Sequence, residues 1–303
     1  MLNRSIVIVL GSSGFVGSTI CKLLIEGNTD VIGIDTVISA QNKLYKFYQS
    51  GINQELLSSI LQEEQVAVIV NAAGKASVKD SFETPFDDFN HNTVLTYLVL
   101  DAIRKHSPNT KLIFLSSAAV YGNPEKLPIT ETDPLNPISP YGFHKMQSEM
   151  IAREFYTCFN ISTVVLRIFS CYGAGQRKLF LWDLCNKTQA DEKILLKGCG
   201  NETRDFVHVS DVAACIQFLV EKDITGFEIF NLASGKEYSI RDTAVMLADK
   251  MGEGKEISFE GKKNTGNPDN WMADISKIRN NGFEPAVLFE DGIKAYVDWF
   301  KSL

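Results

Sequence analysis

The amino-acid sequence predicts an α/β fold in which helices cover both faces of a doubly wound parallel sheet. Through the first half of the chain, short apolar runs alternate with helical stretches, as in successive βαβ units. The runs are apolar at nearly every position, which is typical of strands buried on both faces. From about residue 170 the pattern becomes irregular and glycine-rich, which indicates a smaller α/β domain towards the C-terminus.

The elements follow from these runs in chain order. The predicted strands cover residues 6–10, 31–34, 66–70, 111–115 and 162–168, and the predicted helices cover 18–25, 54–64, 89–105, 141–159, 211–221, 240–250 and 286–302. A proline-rich stretch at 122–140 predicts a long ordered loop, of the kind usually kept for function. We therefore expect one domain at residues 1–169, to which residues 205–222 return, and a second domain at residues 170–303.

Composition restricts the classes of protein and of site. The chain has 303 residues, of which 45% are hydrophobic, so a sizeable core is expected. A formal net charge of −7 argues against a nucleic-acid-binding surface. The first apolar run ends at Gly11 and is too short for a membrane span or a signal-peptide core, so we expect a cytoplasmic protein. The six cysteines are scattered and the four histidines lack metal-ligand spacing, which predicts free thiols and no catalytic metal.

A glycine-rich turn follows the first predicted strand. Gly11, Gly14 and Gly17 form a Gly-x-x-Gly-x-x-Gly pattern between a strand and a helix. Glycines there allow a tight turn, the close approach of a pyrophosphate and close packing of the helix on the strand. Asp35 ends the second strand, 18 residues after Gly17, at the offset of an acid that binds an adenosine ribose. Because its charge would repel a 2′-phosphate, the pattern predicts a Rossmann-type domain that binds NAD in preference to NADP.

Tyr141 and Lys145 are four residues apart in a predicted helix, so they share one face. A lysine ammonium at about 4 Å would favour the phenolate by roughly 4 kcal/mol, enough to move its pKa towards neutrality. A half-exposed helix face would show the same pattern, so the assignment depends on other residues. Ser117 follows the strand at 111–115, and ligands of open α/β sheets bind at the carboxyl ends of strands. The three residues predict an orienting hydroxyl, a base and a cation for proton transfer coupled to hydride transfer.

These motifs together resemble the NAD-dependent epimerase/dehydratase family, a group of extended short-chain dehydrogenases/reductases. The resemblance covers nearly the whole chain, and within the family it is strongest to UDP-glucose 4-epimerases and related nucleotide-sugar enzymes. Besides the residues above, it rests on the segments Asn71-Ala72-Ala73-Gly74, Val120-Tyr121-Gly122, Ser139-Pro140, Leu166-Arg167-Ile168-Phe169, Arg204-Asp205-Phe206-Val207-His208-Val209 and Ala273-Asp274, and on Pro85 with Asn92.

The resemblance implies a role for each matching residue. The residues expected to bind NAD are Gly11, Gly14, Phe15, Val16, Gly17, Asp35, Ile52, Ala72, Ala73, Gly74, His91, Asn92, Tyr141, Lys145 and Phe169. Ser117, Tyr141 and Lys145 are expected to be catalytic. The residues expected to contact the nucleotide sugar are Ser117, Ser170, Arg204 and Trp271, with the arginine on the diphosphate. The alternative for Arg204 is a surface ion pair with Glu202 or Asp205, and the alternative for Trp271 is a core position.

Departures from the family pattern narrow the expected activity. Gly51 stands where the family commonly has an acid that contacts adenine, so adenine must be held differently. Ala118 and Ala119 replace the acidic residues that drive loss of water in the 4,6-dehydratases, which argues against a dehydratase.

The substrate end of the site also departs from the pattern. Ser170 replaces an asparagine that contacts the diphosphate, and Asn264 replaces a phosphate-binding arginine. The bulk of Trp271 predicts a sugar pocket too tight for an N-acetyl group. The base of the nucleotide and the sugar are therefore left open.

Three functions remain open at this point. The first is 4-epimerisation of a nucleotide sugar through a 4-keto intermediate, with NAD regenerated in each turnover. The second is a net NAD(H)-dependent 4-dehydrogenase or 4-keto-sugar reductase, because the same residues serve an alcohol–ketone step whatever becomes of the ketone. The third, a non-catalytic cofactor-sensing protein, is opposed by the intact Ser117, Tyr141 and Lys145.

The resemblance also implies a homodimer formed through a four-helix bundle. The predicted helices at 89–105 and 141–159 carry more apolar side chains than one core-facing stripe needs. The extra positions are Val94, Leu95, Tyr97, Leu98, Met146, Met150 and Ile151. Ordinary burial of both helices on the sheet is the alternative.

Overall fold

A computed structural model describes residues 6–190, 193–222, 224–252, 254–262 and 266–303. The described strands are β1 (Ile6–Leu10), β2 (Asp30–Asp35), β3 (Lys46–Gln49), β4 (Val66–Asn71), β5 (Lys111–Ser117), β6 (Thr163–Ile168), β7 (Ser170–Tyr172), β8 (Lys193–Leu196), β9 (Thr203–His208), β10 (Phe227–Leu232), β11 (Glu237–Ser239) and β12 (Glu256–Phe259). The described helices are α1 (Phe15–Glu26), α2 (Gln54–Glu63), α3 (Val78–Glu83), α4 (Pro85–Phe89), α5 (Leu95–His106), α6 (Pro140–Phe159), α7 (Leu179–Ala190), α8 (Val209–Glu221), α9 (Ile240–Met251), α10 (Ser276–Asn280) and α11 (Phe289–Lys301).

Seven strands form one parallel sheet in the order β10-β6-β5-β4-β1-β2-β3. All five strands predicted from sequence lie in it, and β1 has the predicted bounds. The burial of their side chains explains why they were recognisable, since every residue of β6 and four of the five in β1 are buried. Two large apolar clusters cover the sheet, one including α1 and α8 and the other including α2 and α5. The predicted α/β class and doubly wound parallel sheet are confirmed.

Two strands of the large sheet were missed by the sequence analysis. β3 is short and lies at the sheet edge, where two adjacent, partly buried aromatic residues stand between the exposed Lys46 and Gln49. β10 lies in the irregular half of the chain and pairs with β6 in parallel, with Asn231 opposite Arg167. The helix α8 packs on α1, so the chain returns to the first sheet through two consecutive elements.

The rest of the second half forms a smaller α/β layer. A three-stranded sheet has the order β11-β9-β7, and β8 pairs with β12 in a separate parallel ladder. The helices α7, α9 and α11 enclose an aromatic core, in which Phe206 and Phe289 stack with ring centroids 4.7 Å apart. Within the described ranges no helix is long and apolar enough to cross a membrane.

The starts of two helices and one π turn set the positions of site residues. α1 begins at Phe15, three residues earlier than predicted, directly after the glycine turn. α6 begins at Pro140, and the side chain of Ser139 caps it by accepting a hydrogen bond from the amide of Gly142 at 3.1 Å. A single π turn, Asn90–Val94, joins α4 to α5 within the predicted helix at 89–105.

Candidate functional site

A cleft of about 1390 Å³ lies between the carboxyl ends of the parallel strands and the smaller layer. It brings together most of the predicted site residues from distant parts of the chain. Its lining includes Gly14, Phe15, Val16, Gly17, Ala72, Ala73, Gly74, Ser117, Tyr141, Lys145, Phe169, Ser170, Arg204 and Trp271. Gly11, Asp35, Ile52, His91 and Asn92 lie outside this lining.

The glycine turn is shaped as close backbone packing requires. Gly11 has a φ of +77°, which side-chain-bearing residues rarely adopt. A Cβ atom on Gly17 would lie 2.0 Å from the carbonyl oxygen of Gly11, so any side chain there would force α1 away from the turn. The residues from Gly14 to Gly17, at the start of α1, line the cleft, as in a site for a dinucleotide pyrophosphate. The turn therefore fits the NAD that the sequence predicts.

Asp35 is held beside the same turn. Its two carboxylate oxygens accept hydrogen bonds from the amides of Ser13 and Val37, both at 3.0 Å. These bonds orient the carboxylate at the end of β2, where an acid can bind a ribose diol. Gly51, by contrast, is exposed, and a Cβ atom there would meet no atom within 4 Å. An acidic side chain would therefore fit at position 51, so steric crowding does not explain why the adenine-binding acid is absent. Ile52 is partly buried against the apolar cluster on its face of the sheet.

Ser117, Tyr141 and Lys145 meet at the carboxyl end of β5. The Ser117 hydroxyl accepts a hydrogen bond from the amide of Ala119 at 3.1 Å. Lys145 is 6% exposed, and its Nζ donates to the carbonyl oxygen of Leu115 at 2.9 Å. The same Nζ lies 5.9 Å from the centroid of the Tyr141 ring. The predicted trio is therefore assembled, with the lysine fixed by the strand it packs on.

The electrostatics of the trio correct one prediction. Burial raises the pKa of Tyr141 to about 12, although the nearby Ser117 hydroxyl partly offsets this rise. Burial also lowers the pKa of Lys145 to about 8, against the charges of Asp88 and Glu149, which raise it. Burial therefore shifts the pKa of Tyr141 upward, in the direction opposite to the one expected from the Tyr141–Lys145 spacing.

The side chain of Arg204 forms part of the cleft wall. Its Nη1 donates to the carbonyl oxygens of Thr203 at 2.7 Å and Asp269 at 3.3 Å, and its guanidinium lies 5.5 Å from the Trp271 ring centroid. Burial lowers its pKa to about 10, which still leaves it charged at neutral pH. The remaining donors of the guanidinium can bind an anion in the cleft.

The acids proposed as alternative partners of Arg204 are engaged by other groups. The Glu202 carboxylate accepts hydrogen bonds from the amides of Cys199 and Gly200, at 2.9 and 2.8 Å. The Asp205 carboxylate accepts from the amides of Ser234, Gly235 and Ala273 and from the Ser234 hydroxyl. These bonds favour the interpretation of Arg204 as an anion-binding residue over a surface ion pair.

Trp271 fits both of its predicted interpretations. It is 8% exposed and belongs to the core cluster, yet it also lines the cleft. Its Nε1 donates to the carbonyl oxygen of Gly122 at 3.0 Å, and its ring meets Phe169 edge-on at 5.9 Å. Trp271 thus ties the proline-rich loop to the end of β6. Asn264, which replaces the second arginine, lies outside the described residues.

His91 and Asn92 differ in their surroundings, although they are neighbours in the π turn. Asn92 is 1% exposed, and its Nδ2 donates to the carbonyl oxygens of Asp88 and Lys75 at 3.1 and 3.2 Å. A Cβ atom on Gly74 would lie 2.7 Å from the Asn92 Oδ1. This places Asn92 against the end of β4. The His91 side chain is 55% exposed and pairs with Asp87 at 3.0 Å.

Basic side chains at the cleft mouth were not predicted from the sequence. The lining includes Lys75, Lys79, Arg177, Lys178, Lys187 and Lys197 in addition to the predicted cations. They come from several elements with no common spacing, so only the fold gathers them. Among the described residues, no group of three or more His, Cys, Asp and Glu side chains could hold a metal ion. The six cysteines are free.

Comparison with known proteins identifies the family to which this chain is similar. Residues 7–233 match the model of the NAD dependent epimerase/dehydratase family. A putative UDP-glucose 4-epimerase of Methanocaldococcus jannaschii is 32% identical, with 98% of each chain covered, and a UDP-glucose 4-epimerase of Lactobacillus helveticus is 30% identical, with 98% of this chain and 97% of that protein covered.

Solved structures agree with the sequence relatives. The structure of UDP-glucose 4-epimerase from Thermotoga maritima with UDP-glucose superposes with a TM-score of 0.90 at 27% identity, over 98% of this chain and 99% of that one. UDP-glucuronic acid 4-epimerase from Bacillus cereus, in complex with UDP-glucuronic acid and NAD, gives the same TM-score, identity and coverage. The chain therefore belongs to the NAD-dependent epimerase/dehydratase family.

Proposed function

We propose that this protein is a UDP-sugar 4-epimerase that uses NAD as a bound cofactor. The observation that carries the proposal is the convergence of Ser117, Tyr141 and Lys145 in the same cleft as the glycine turn and Arg204. The matching relatives and solved structures named as UDP-sugar 4-epimerases support it. The reaction inverts C4 of the sugar through a 4-keto intermediate.

The residues that would hold NAD are those that fit it in shape and charge. The amides around Gly11, Gly14 and Gly17 would bind the pyrophosphate, and Asp35 would bind the adenosine ribose. When held by these residues, the cofactor would supply the hydride acceptor for oxidation at C4 and the hydride donor for reduction of the resulting ketone.

Tyr141 is the base in this proposal, and its burial defines what the site must provide. With a pKa of about 12, the phenol needs a shift of several units to accept a proton at neutral pH, or roughly 5–7 kcal/mol. The Lys145 ammonium and the hydroxyl of Ser117 both favour the phenolate. Ser117 also orients the substrate hydroxyl. The O–H proton of the sugar passes to Tyr141 and returns from it when the ketone is reduced.

The residues that follow β5 favour epimerisation over elimination of water. A dehydratase needs an acid and a base to remove water from C5 and C6, and Ala118 and Ala119 supply neither. Both alanines are buried in the turn after β5, where their methyl groups pack in the core. The ketone formed at C4 is therefore reduced again by hydride and does not undergo loss of water.

The substrate in this proposal is a UDP-hexose without an N-acetyl group. Arg204 would bind the diphosphate, with further attraction from the basic side chains at the cleft mouth. Trp271 and Phe169 narrow the sugar end, which disfavours a 2-acetamido substituent.

Purified protein incubated with UDP-glucose, UDP-galactose, UDP-glucuronic acid and UDP-N-acetylglucosamine tests this function. We expect C4 inversion of one of the first three without change in total NADH. Stoichiometric NADH formation or consumption would instead favour the net dehydrogenase or reductase, and no reaction in any of the four would count against the epimerase.

We also propose a homodimer built on α5 and α6. Four large apolar side chains on these helices stay exposed, namely Tyr97 (46%), Phe143 (45%), Met150 (63%) and Phe159 (45%). Leu95 is buried against the sheet, so only part of the predicted apolar excess is available to a partner. A second copy that pairs these helices would form the four-helix bundle.

The division into two domains and the location of the protein stay proposals as well. The packing of α8 on α1 supports the return of residues 205–222 to the first domain of residues 1–169. The next element, β10, also belongs to that domain, because it pairs with β6. Residues 170–303 would otherwise form the domain that holds the nucleotide sugar. The six free thiols are in keeping with a cytoplasmic enzyme.

A further inference from the structure

A buried hydrogen bond between an aspartate and a histidine lies next to the trio and was not predicted. Oδ1 of Asp88, in α4, lies 2.5 Å from Nδ1 of His144, in α6. The side chains are 1% and 12% exposed, respectively. His144 lies between Tyr141 and Lys145 in sequence, so one helical turn links all three. The His144 ring also meets Phe89 edge-on at 5.5 Å.

The second carboxylate oxygen of Asp88 is the unusual feature. It is buried, and it has no hydrogen-bond partner among the residues that the structure describes. A buried carboxylate with one hydrogen-bonded partner is costly unless another positive charge lies nearby. A positive charge close to Asp88, beyond its hydrogen-bond partner, would therefore stabilise it.

The cations around Asp88 differ in burial and in their partners. Arg167 on β6 binds both carboxylate oxygens of Glu149 and so neutralises the buried acid of α6. Lys75, next to α3, feels the charge of Asp88 but is partly exposed and paired with Asp87.

Lys145 is the buried ammonium left to balance Asp88. His91 on the π turn pairs with Asp87, so it does not serve this role. The charge of Asp88 acts on Lys145 and on Tyr141 and raises the pKa of each.

We propose that Asp88, fixed by His144, is a positioning residue whose negative charge keeps Lys145 protonated inside the buried site. The pair also ties α4 to the start of α6, where Tyr141 is located. The hydroxyls of Thr93 and Ser148 both donate to the carbonyl oxygen of His144, at 3.1 and 2.8 Å, which steadies the same turn. The catalytic consequence rests on the proposed function, whereas the charge relation itself does not.

A shift of the pH profile distinguishes this role of Asp88 from a simple loss of activity. Removing a negative charge lowers the pKa of a nearby ammonium and also lowers the pKa of a nearby phenol. Both limbs of the pH profile of kcat should therefore move to lower pH together. Damage to packing alone would lower kcat at every pH and leave the profile in place.

Asp88→Asn tests this, with Asp101→Asn as the matched control. Asp101 is also nearly buried, but it lies on α5 and is bound by Arg104 and Lys105. We expect the pH profile for UDP-galactose turnover to move down by about 0.5–1 pH unit in Asp88→Asn and to stay in place in Asp101→Asn.

A second readout needs no substrate. Protein labelled with [ζ-13C]tyrosine gives one signal for each of the nine tyrosines, and Tyr141→Phe assigns the one of interest. At the same alkaline pH, Asp88→Asn should hold about three- to tenfold more Tyr141 phenolate than the wild type. The same comparison decides the matter if no UDP-sugar is epimerised, so failure of the proposed function remains distinguishable.

The double variant Asp88→Asn/His144→Gln guards against misfolding. It replaces the Asp88–His144 hydrogen bond with two amides that can bond each other across α4 and α6, and it should show the same shift. A folded Asp88→Asn protein with unchanged phenolate content and an unchanged pH profile would overturn the proposal. If neither variant folds while Asp101→Asn does, the pair is structural and the proposal also fails.

Discussion

At the scale of the residue, the identity of Tyr141 and Lys145 was predictable but their ionisation was not. The Tyr-x-x-x-Lys spacing places both on one helical face whatever the rest of the fold. The pKa of each depends on how far α6 and β5 exclude water, and that is a property of tertiary packing. Burial moves both groups towards their neutral forms. The Asp88–His144 pair was missed for a similar reason, because its two residues are 56 positions apart.

Tyr141→Phe removes the base and should reduce epimerisation by about 10²- to 10⁴-fold. Ser117→Ala should cost less, because the hydroxyl orients and polarises without taking the proton. The NAD content of denatured Ser117→Ala protein, read by mass spectrometry, should stay the same as in the wild type, because Ser117 is not among the residues expected to bind NAD. Unchanged activity in Tyr141→Phe would remove this residue from the mechanism.

Gly17→Ala tests the fit of the glycine turn at the same scale. The added Cβ would lie 2.0 Å from the carbonyl oxygen of Gly11, so the helix must move away from the strand. We expect loss of bound NAD and a lower melting temperature. Gly51→Ala is the control, since a Cβ there meets nothing within 4 Å. Equal NAD retention in the two variants would contradict the assignment of the turn.

At the scale of the element, strands that are buried on both faces were predictable and edge or short elements were not. β1, β4 and β6 consist mostly of apolar residues, and the structure has them within one residue of the predicted bounds. β3 and α4 carry too few apolar residues for their periodicity to stand out. The place of β10 in the first sheet depends on a long-range pairing with β6, which no local pattern reports.

Asp205 on β9 joins three segments and yields a pH-dependent stability. Burial raises its pKa to about 6, despite the hydrogen bonds from Ser234, Gly235 and Ala273 that lower it. Because the pKa in the folded state is higher than in the unfolded chain, this group stabilises most at low pH. That contribution is lost as pH rises from about 4 through 6.

Urea unfolding of the wild type and Asp205→Asn between pH 5 and 7.5 measures this effect. The stability of the wild type relative to the variant should fall by about 1 kcal/mol over the range. A difference that is constant, or that grows with pH, would show that Asp205 has an ordinary or depressed pKa in the folded protein.

At the scale of the whole molecule, the proposed dimer depends on exposed apolar side chains of α5 and α6. Met150 is the most exposed of them, at 63%, so a charge there should disturb association without disturbing the core. Sedimentation velocity at micromolar concentration should give a dimer for the wild type and a monomer for Met150→Glu. Val245→Glu on α9, 45% exposed and far from these helices in sequence, should remain dimeric. A monomeric wild type would refute the bundle.

The central claim is that one cleft oxidises C4 of a UDP-sugar and then returns the same hydride to that carbon. The most direct measurement uses NMR and mass spectrometry to follow UDP-glucose, UDP-galactose and UDP-glucuronic acid, each labelled with deuterium at C4, during turnover. We expect one of the three to give its C4 epimer with the deuterium retained at C4, and NAD to be neither consumed nor accumulated as NADH. Recovery of all three substrates unchanged, or transfer of the deuterium into free NADH, would contradict this claim.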